Sequence, residues 1–203
     1  MKAITQAILL LLLAMPALSK GEENVIRSKK PITWLGLDFS LARIIGAAAQ
    51  FGGAGEVTLD ELKNKYMPGW NLLFLTEPKK YDVAKYVRRD AVANKLEVTA
   101  KDNTAVDKDI FSINPSDMSR LRKADIEAQV SKMDFMDQHG VGYVIFIEGM
   151  NKGNERASGW ITFVDMDTKK VLQTHRAEGS PGGFGFRNYW AKAFLSILKD
   201  TDN

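Results

Sequence analysis

The segment Gly179-Ser180-Pro181-Gly182-Gly183-Phe184-Gly185, directly ahead of a strongly amphipathic run, is the first place where chemistry could reside. Glycines at a helix N-terminus expose backbone N–H groups, and the helix dipole there favours an anion. Gly182, Gly183, Gly185, Arg187 and Asn188 are therefore the candidate binding residues, with Arg187 adding positive charge in the first turn. No Gly-Lys-Ser/Thr follows, so this is not a Walker loop, and it does not open a βαβ unit as a dinucleotide fingerprint does. A tight turn with positive φ beneath two aromatic residues accounts for the same glycines.

Asp38 and Glu148 are the candidate catalytic residues. Each sits where an apolar run ends, and strand ends carry active-site groups in α/β folds. Two carboxyls that converged could divide acid and base roles between them. Charged residues also commonly close strands with no further duty. His139 and His175 are the two histidines, too few for a three-histidine zinc site, and neither H-E-x-x-H nor G-x-S-x-G occurs. A Ser-His-Asp triad stays open, since its members need not be neighbours in sequence. Asp165 and Asp167 begin like a calcium loop, but Lys170 stands where that loop needs glycine, so a hairpin turn explains them better. No metal and no cofactor are expected. Trp34, Trp70, Trp160 and Trp190 fall at strand and helix spacing and read as core.

The elements that must position these residues are most legible in the last third. Val141 to Ile147 is nearly continuous apolar, the pattern of a strand covered on both faces and central in its sheet. Trp160–Val164 and Val171–Arg176 follow as strands, joined by an Asp165–Lys170 turn. Phe186, Tyr189, Trp190, Ala193, Phe194, Ile197 and Leu198 lie on one helical stripe. Earlier, Ile32–Phe39 reads as a buried strand, and Gln50–Gly55 as a glycine loop. Thr58 with Glu61 forms a capping box, opening a helix that Met67-Pro68-Gly69 interrupts and that resumes over Trp70–Thr76. Helix is also expected over Lys79–Arg89 and Ala124–Gln138. Strands are expected at Lys95–Thr99 and Ile110–Ile113, with a turn at Asp102–Thr104.

Composition sets the class. The 203 residues are 45% hydrophobic and 26% charged, ordinary for a globular chain. Lys2 followed by the apolar run Ala7–Met15, Pro16 and Ala17-Leu18-Ser19 is the pattern of a secretory signal, too short to span a bilayer. Residues 1–19 are thus expected to be removed, 20–31 to be a flexible lead, and 32–203 to be one globular domain. Losing Lys2 takes the net charge from +3 to +2, which gives little attraction to nucleic acid or anionic lipid. The absence of cysteine excludes disulfides, thiol catalysis and cysteine-ligated metal.

Leu37-Asp38-Phe39-Ser40, Glu77-Pro78-Lys79-Lys80-Tyr81, and Asn188-Tyr189-Trp190-Ala191 after Gly182-Gly183-Phe184-Gly185 resemble a family of uncharacterised exported proteins from Bacteroidota-type bacteria. The resemblance covers nearly all of the expected mature chain and implies a bacterial envelope setting, with no assigned activity. More weakly, the order of helix, Gly-Tyr-Val-Ile strand, hairpin with Asp-x-Asp-Thr turn and helix is similar to the α/β domains of the curli secretion channel and the TolB amino-terminal region. Those domains mediate assembly at the envelope; this sequence has neither their lipidated cysteine nor a β-propeller.

The resulting expectation is a single α+β domain with a mixed sheet of about four to five strands, helices packed on it and an amphipathic C-terminal helix, in the periplasm or outside the cell. The first functional expectation is a non-enzymatic binding or assembly module with an envelope protein as partner, binding no nucleic acid and spanning no membrane after signal cleavage. The alternatives are a periplasmic hydrolase using Asp38 or Glu148, and a small-molecule carrier with an enclosed pocket.

Overall fold

The computed structural model describes residues 25–46 and 57–202; the expected signal segment 1–19 and the Gln50–Gly55 loop lie outside them. Its centre is β5 (Val141–Asn151), in which every residue is buried. The apolar run in the sequence foretells this: with no polar face to leave in water, the strand must be covered above and below. One edge of β5 pairs antiparallel with β6 (Arg156–Asp165), and β6 pairs antiparallel with β7 (Lys170–Gly179). Both hairpin strands are longer than their apolar cores suggested.

The other edge of β5 is parallel and is shared by two strands lying end to end. β1 (Ile32–Asp38) pairs from Ile32↔Val141 to Asp38↔Phe146, and β2 (Arg43–Ile45) resumes at Arg43↔Gly149. The short strands β3 (Ala93–Asn94) and β4 (Phe111–Ser112) add beyond β1 and β2, again parallel. The seven strands form one mixed sheet.

Alternating side chains split the core into two layers. On one face Trp34, Leu37, Tyr143, Ile145 and Ile147 meet α2 (Met67–Thr76) and α6 (Phe186–Lys199). On the other, Leu35, Val144, Phe146 and Val164 meet Ile126 and Val130 of α5 (Lys123–Lys132). The aromatic stripe of α6 is buried as its 3.6-residue period requires. Phe39, Trp70, Phe186 and Phe194 pack as tilted and edge-on rings between the sheet, α2 and α6.

Several local expectations give way to tertiary forces. The helix opened by the Thr58–Glu61 box, α1 (Leu59–Glu61), does not break at Met67-Pro68-Gly69: it widens into a π-turn over Leu62–Tyr66 and continues as α2. Pro68 has no N–H and its ring crowds the carbonyl four residues back, and a wider turn relieves that contact. Lys79–Arg89 holds only the short helix α3 (Val83–Tyr86), capped by Asp82. Lys95–Thr99 is not a strand, nor Asp102–Thr104 a turn; helix α4 (Glu97–Thr104) takes in most of both segments. Helix α5 ends at Lys132, six residues before the expected Gln138. Of the lead expected over 20–31, residues 25–31 are anchored: Val25 and Ile26 are in the core, and the Arg89 guanidinium donates to the carbonyls of Val25, Ile26 and Lys30 at 2.8–3.0 Å.

Candidate functional site

Helix α4 exists where it does because it closes the open edge of β1. Beyond Trp34 no strand of the described residues pairs with that edge, yet its backbone groups are met by side chains. Thr99 donates to the Leu35 carbonyl at 2.7 Å, and Asn103 accepts from Phe39 N–H at 2.7 Å while donating to the Leu37 carbonyl at 3.0 Å. Asn71 of α2 accepts from Leu37 N–H at 2.7 Å and donates back to Leu37 O at 3.0 Å. Buried backbone groups need such partners. Gly36 permits the approach: its φ is +105°, and a Cβ there would stand 2.5 Å from Asn71 Oδ1.

With Thr99 and Asn103 fixed on β1, the intervening Asp102 is carried to the carboxyl end of the strand, where Asp38 lies. Asp38 is fully buried. Its Oδ1 accepts from the Ser40 amide at 2.8 Å and the Ser40 hydroxyl at 2.5 Å. Its Oδ2, and Oδ2 of Asp102, are buried with no hydrogen-bond donor among the described residues. Burial pushes the Asp38 carboxyl up to about 7; the Ser40 hydrogen bonds oppose this and the neighbouring Asp102 adds to it. Asp102 is also raised, chiefly by burial, with Lys101 working against the rise. Two facing carboxyls cannot both ionise cheaply, whereas one proton held between them gives each orphaned oxygen a partner.

Asp102 forms part of the wall of a cavity of about 390 Å³, together with Ser40, Arg43, Asp107, Asp109 and Gln129. The cavity opens in the gap between the carboxyl end of β1 and the amino end of β2, bordered by Ser40, Ala42 and Arg43; the carboxyl end of a parallel strand is where open α/β sheets bind ligands. A second groove, of about 230 Å³, runs between α2 and α4; Leu72, Leu96 and Ala100 supply its apolar wall, and Asn71 and Asn103 also border it.

The other expected site residues are elsewhere. Glu148 occupies a bulge in β5 and shares a sheet face with Asp38, but the two do not form one site. Its Oε1 accepts from the Leu121 amide at 2.6 Å and its Oε2 from Arg176 Nε at 2.7 Å. Arg176 also donates to Met118 O and Glu178, so this ion pair straps the 115–121 segment across the sheet. The glycine loop docks α6. Gly182 N–H donates to Tyr189 O, Gly183 and Gly185 take positive φ, and Trp70 Nε1 donates to the Arg187 carbonyl at 2.9 Å. The Arg187 side chain lies against Gly69, Asn188 is exposed, and Phe184 is 96% exposed.

The histidines are apart from both. His139 pairs with Asp167 at 2.5 Å beside the β6–β7 turn, and His175 Nε2 lies 3.2 Å from the Asp200 carbonyl. Asp165 Oδ1 accepts from the amides of Asp167 and Thr168, a turn of the kind the sequence implies. Among the described residues no group of three His, Asp or Glu side chains is arranged to hold a metal ion. Nor, among them, is any helix long and apolar enough to cross a membrane.

Sequence reasoning missed Asp102, Asn71, Thr99 and Asn103. The available signal was weak but physical: Asn71 interrupts an apolar helical run, and Thr99 and Asn103 are four apart. No protein-family model, curated protein or solved structure matches the chain.

Proposed function

We propose that the protein is an exported, non-enzymatic binding domain of the bacterial envelope, with its recognition site in the cavity between the carboxyl end of β1 and the amino end of β2. The observation that carries this reading is the cavity itself, whose polar wall is backed by the facing carboxyls of Asp38 and Asp102. Its volume is in the range of small-molecule sites. Binding suits the chemistry better than turnover, because Glu148 and both histidines are held in structural bonds. The leader and the resemblance to exported Bacteroidota-type proteins support the location. An envelope protein is the macromolecular partner in this reading, and the α6 loop with its exposed Phe184 is the surface offered to it.

A thermal-shift screen of metabolites, both anionic and cationic, tests the reading. A ligand present at a hundred times its Kd adds about 2.7 kcal/mol of stability, easily read as a rise in Tm. Ala105, exposed on the cavity wall, gives the control: Ala105→Phe fills the cavity and abolishes the shift. A shift that survives Ala105→Phe contradicts the placement.

The carboxyl pair favours one second reading, a hydrolase. A carboxyl titrating near neutrality suits general acid–base work, and Asp102, at the cavity wall, would be the group that meets substrate. Turnover of a chromogenic ester, glycoside or phosphate that disappears in Asp102→Asn would favour it over binding alone.

A further inference from the structure

The cavity wall has a definite sign. Asp102, Asp107 and Asp109 contribute three carboxyls, against one guanidinium, that of Arg43, which donates to the Ala42 carbonyl at 3.0 Å. Lys101, beside Asp102 in sequence, is drawn off to Asp134 at 2.7 Å. Behind Asp102 lies the wholly buried Asp38 carboxyl, one oxygen of which has no donor among the described residues. With the shared proton on Asp38, Asp102 is the ionised member of the pair, and a cation in the cavity beside Asp102 favours that arrangement.

A bare divalent ion does not fit this arrangement, because it needs six or more oxygens converging on one point. Among the described residues not even three His, Asp or Glu side chains are grouped to hold a metal ion. The cavity of about 390 Å³ is also far larger than an ion, and part of its wall is hydrocarbon, from Val106 and Ile110. A ligand with one positive head and an apolar stem meets both halves of the wall.

We propose that the cavity receives an organic ammonium ion, its head against Asp102 with Asp107 and Asp109 flanking, and its hydrocarbon stem on Val106 and Ile110. This rests on the reading of the cavity as a binding site and names the ligand class.

Three isosteric probes, n-butylammonium, n-butanol and butyrate, titrated into the full chain and followed by amide and methyl NMR, test it. Butylammonium is expected to shift Ala105, Val106 and Ile110 saturably, and the other two probes to leave them unmoved. Asp102→Asn should weaken butylammonium at least tenfold. The exposed Asp109→Asn, which does not touch the core, should weaken it about threefold and keeps the test available if the Asp102 variant folds poorly. Saturable binding of butyrate or butanol there, without butylammonium, overturns the ammonium assignment and leaves the binding domain standing. Butylammonium affinity unchanged in both variants also overturns it. A cavity that none of the three perturbs overturns it too; the broader reading then falls only if the metabolite screen is silent as well.

Discussion

Two carboxylates of similar burial meet opposite fates, and their immediate partners decide which. Glu148 is buried but fully matched, with an amide on one oxygen and a guanidinium on the other. Of this ion pair, only Glu148 is wholly buried; Arg176 is partly exposed and also pairs with Glu178. Arg176→Ala, which leaves the Glu148 carboxylate buried without its cation, is therefore expected to destabilise the fold by about 3–5 kcal/mol, measured by urea unfolding, whereas replacing Glu148 and Arg176 together with apolar residues recovers part of the loss. Among the described residues no cation pairs with Asp38. Its carboxyl, pushed up to about 7, keeps a proton in the native state that the unfolded chain has already released. Between pH 4 and 7 the folded protein thus binds more protons than the unfolded one, and the Asp38 contribution to stability falls as pH rises through that window. Three pH units correspond to roughly 4 kcal/mol. Asp38→Asn should remove this slope, so that its stability relative to the native sequence is more favourable at pH 8 than at pH 5; equal differences at the two values would show that Asp38 ionises normally.

At the scale of elements, helix α4 couples the sheet to the site. Thr99 and Asn103 attach it to β1, and the same attachment carries Asp102 to Asp38. Asn103→Ala would strip the Phe39 amide and the Leu37 carbonyl of a partner each. A cost of about 2–3 kcal/mol in thermal or urea unfolding follows, since unsatisfied buried groups keep their desolvation penalty. A loss under 0.5 kcal/mol would show that water or a shifted Asn71 takes over. The same helix marks where the sequence was hard to read. Its Leu96-Glu97-Val98-Thr99 alternation mimics a strand, and its Thr and Asn have low helix propensity. What makes it a helix is hydrogen bonding to a strand some sixty residues earlier, which no local pattern displays. By contrast β5 and α6 were legible because burial on both faces, or on one stripe, writes itself into consecutive residues. Nothing in the sequence signals the π-turn before Pro68: a proline inside a helical run reads as a break unless the backbone ahead of it widens.

Across the whole molecule, the mixed sheet with β5 at its centre and a helical layer on each face was foreseeable in outline. The sharing of one β5 edge by β1 and β2 was not. That sharing creates the site: the chain leaves the sheet after Asp38, turns through Ser40, and re-enters at Arg43, so the gap between two collinear strands becomes the cavity floor. Asp38 could be singled out in the sequence as a strand-end carboxyl, but its partner depends on the α4 crossing, and Glu148 was its expected counterpart only because it too ends an apolar run. The central claim is that Asp38 and Asp102 share a proton beneath a site for a positive group. Carboxyl-carbon NMR of Asp38 across pH, with and without n-butylammonium, tests it most directly. A midpoint near 7 that moves down when the ammonium is added is the predicted result. A midpoint in the ordinary carboxylate range near 4, unmoved by the ammonium, would contradict it.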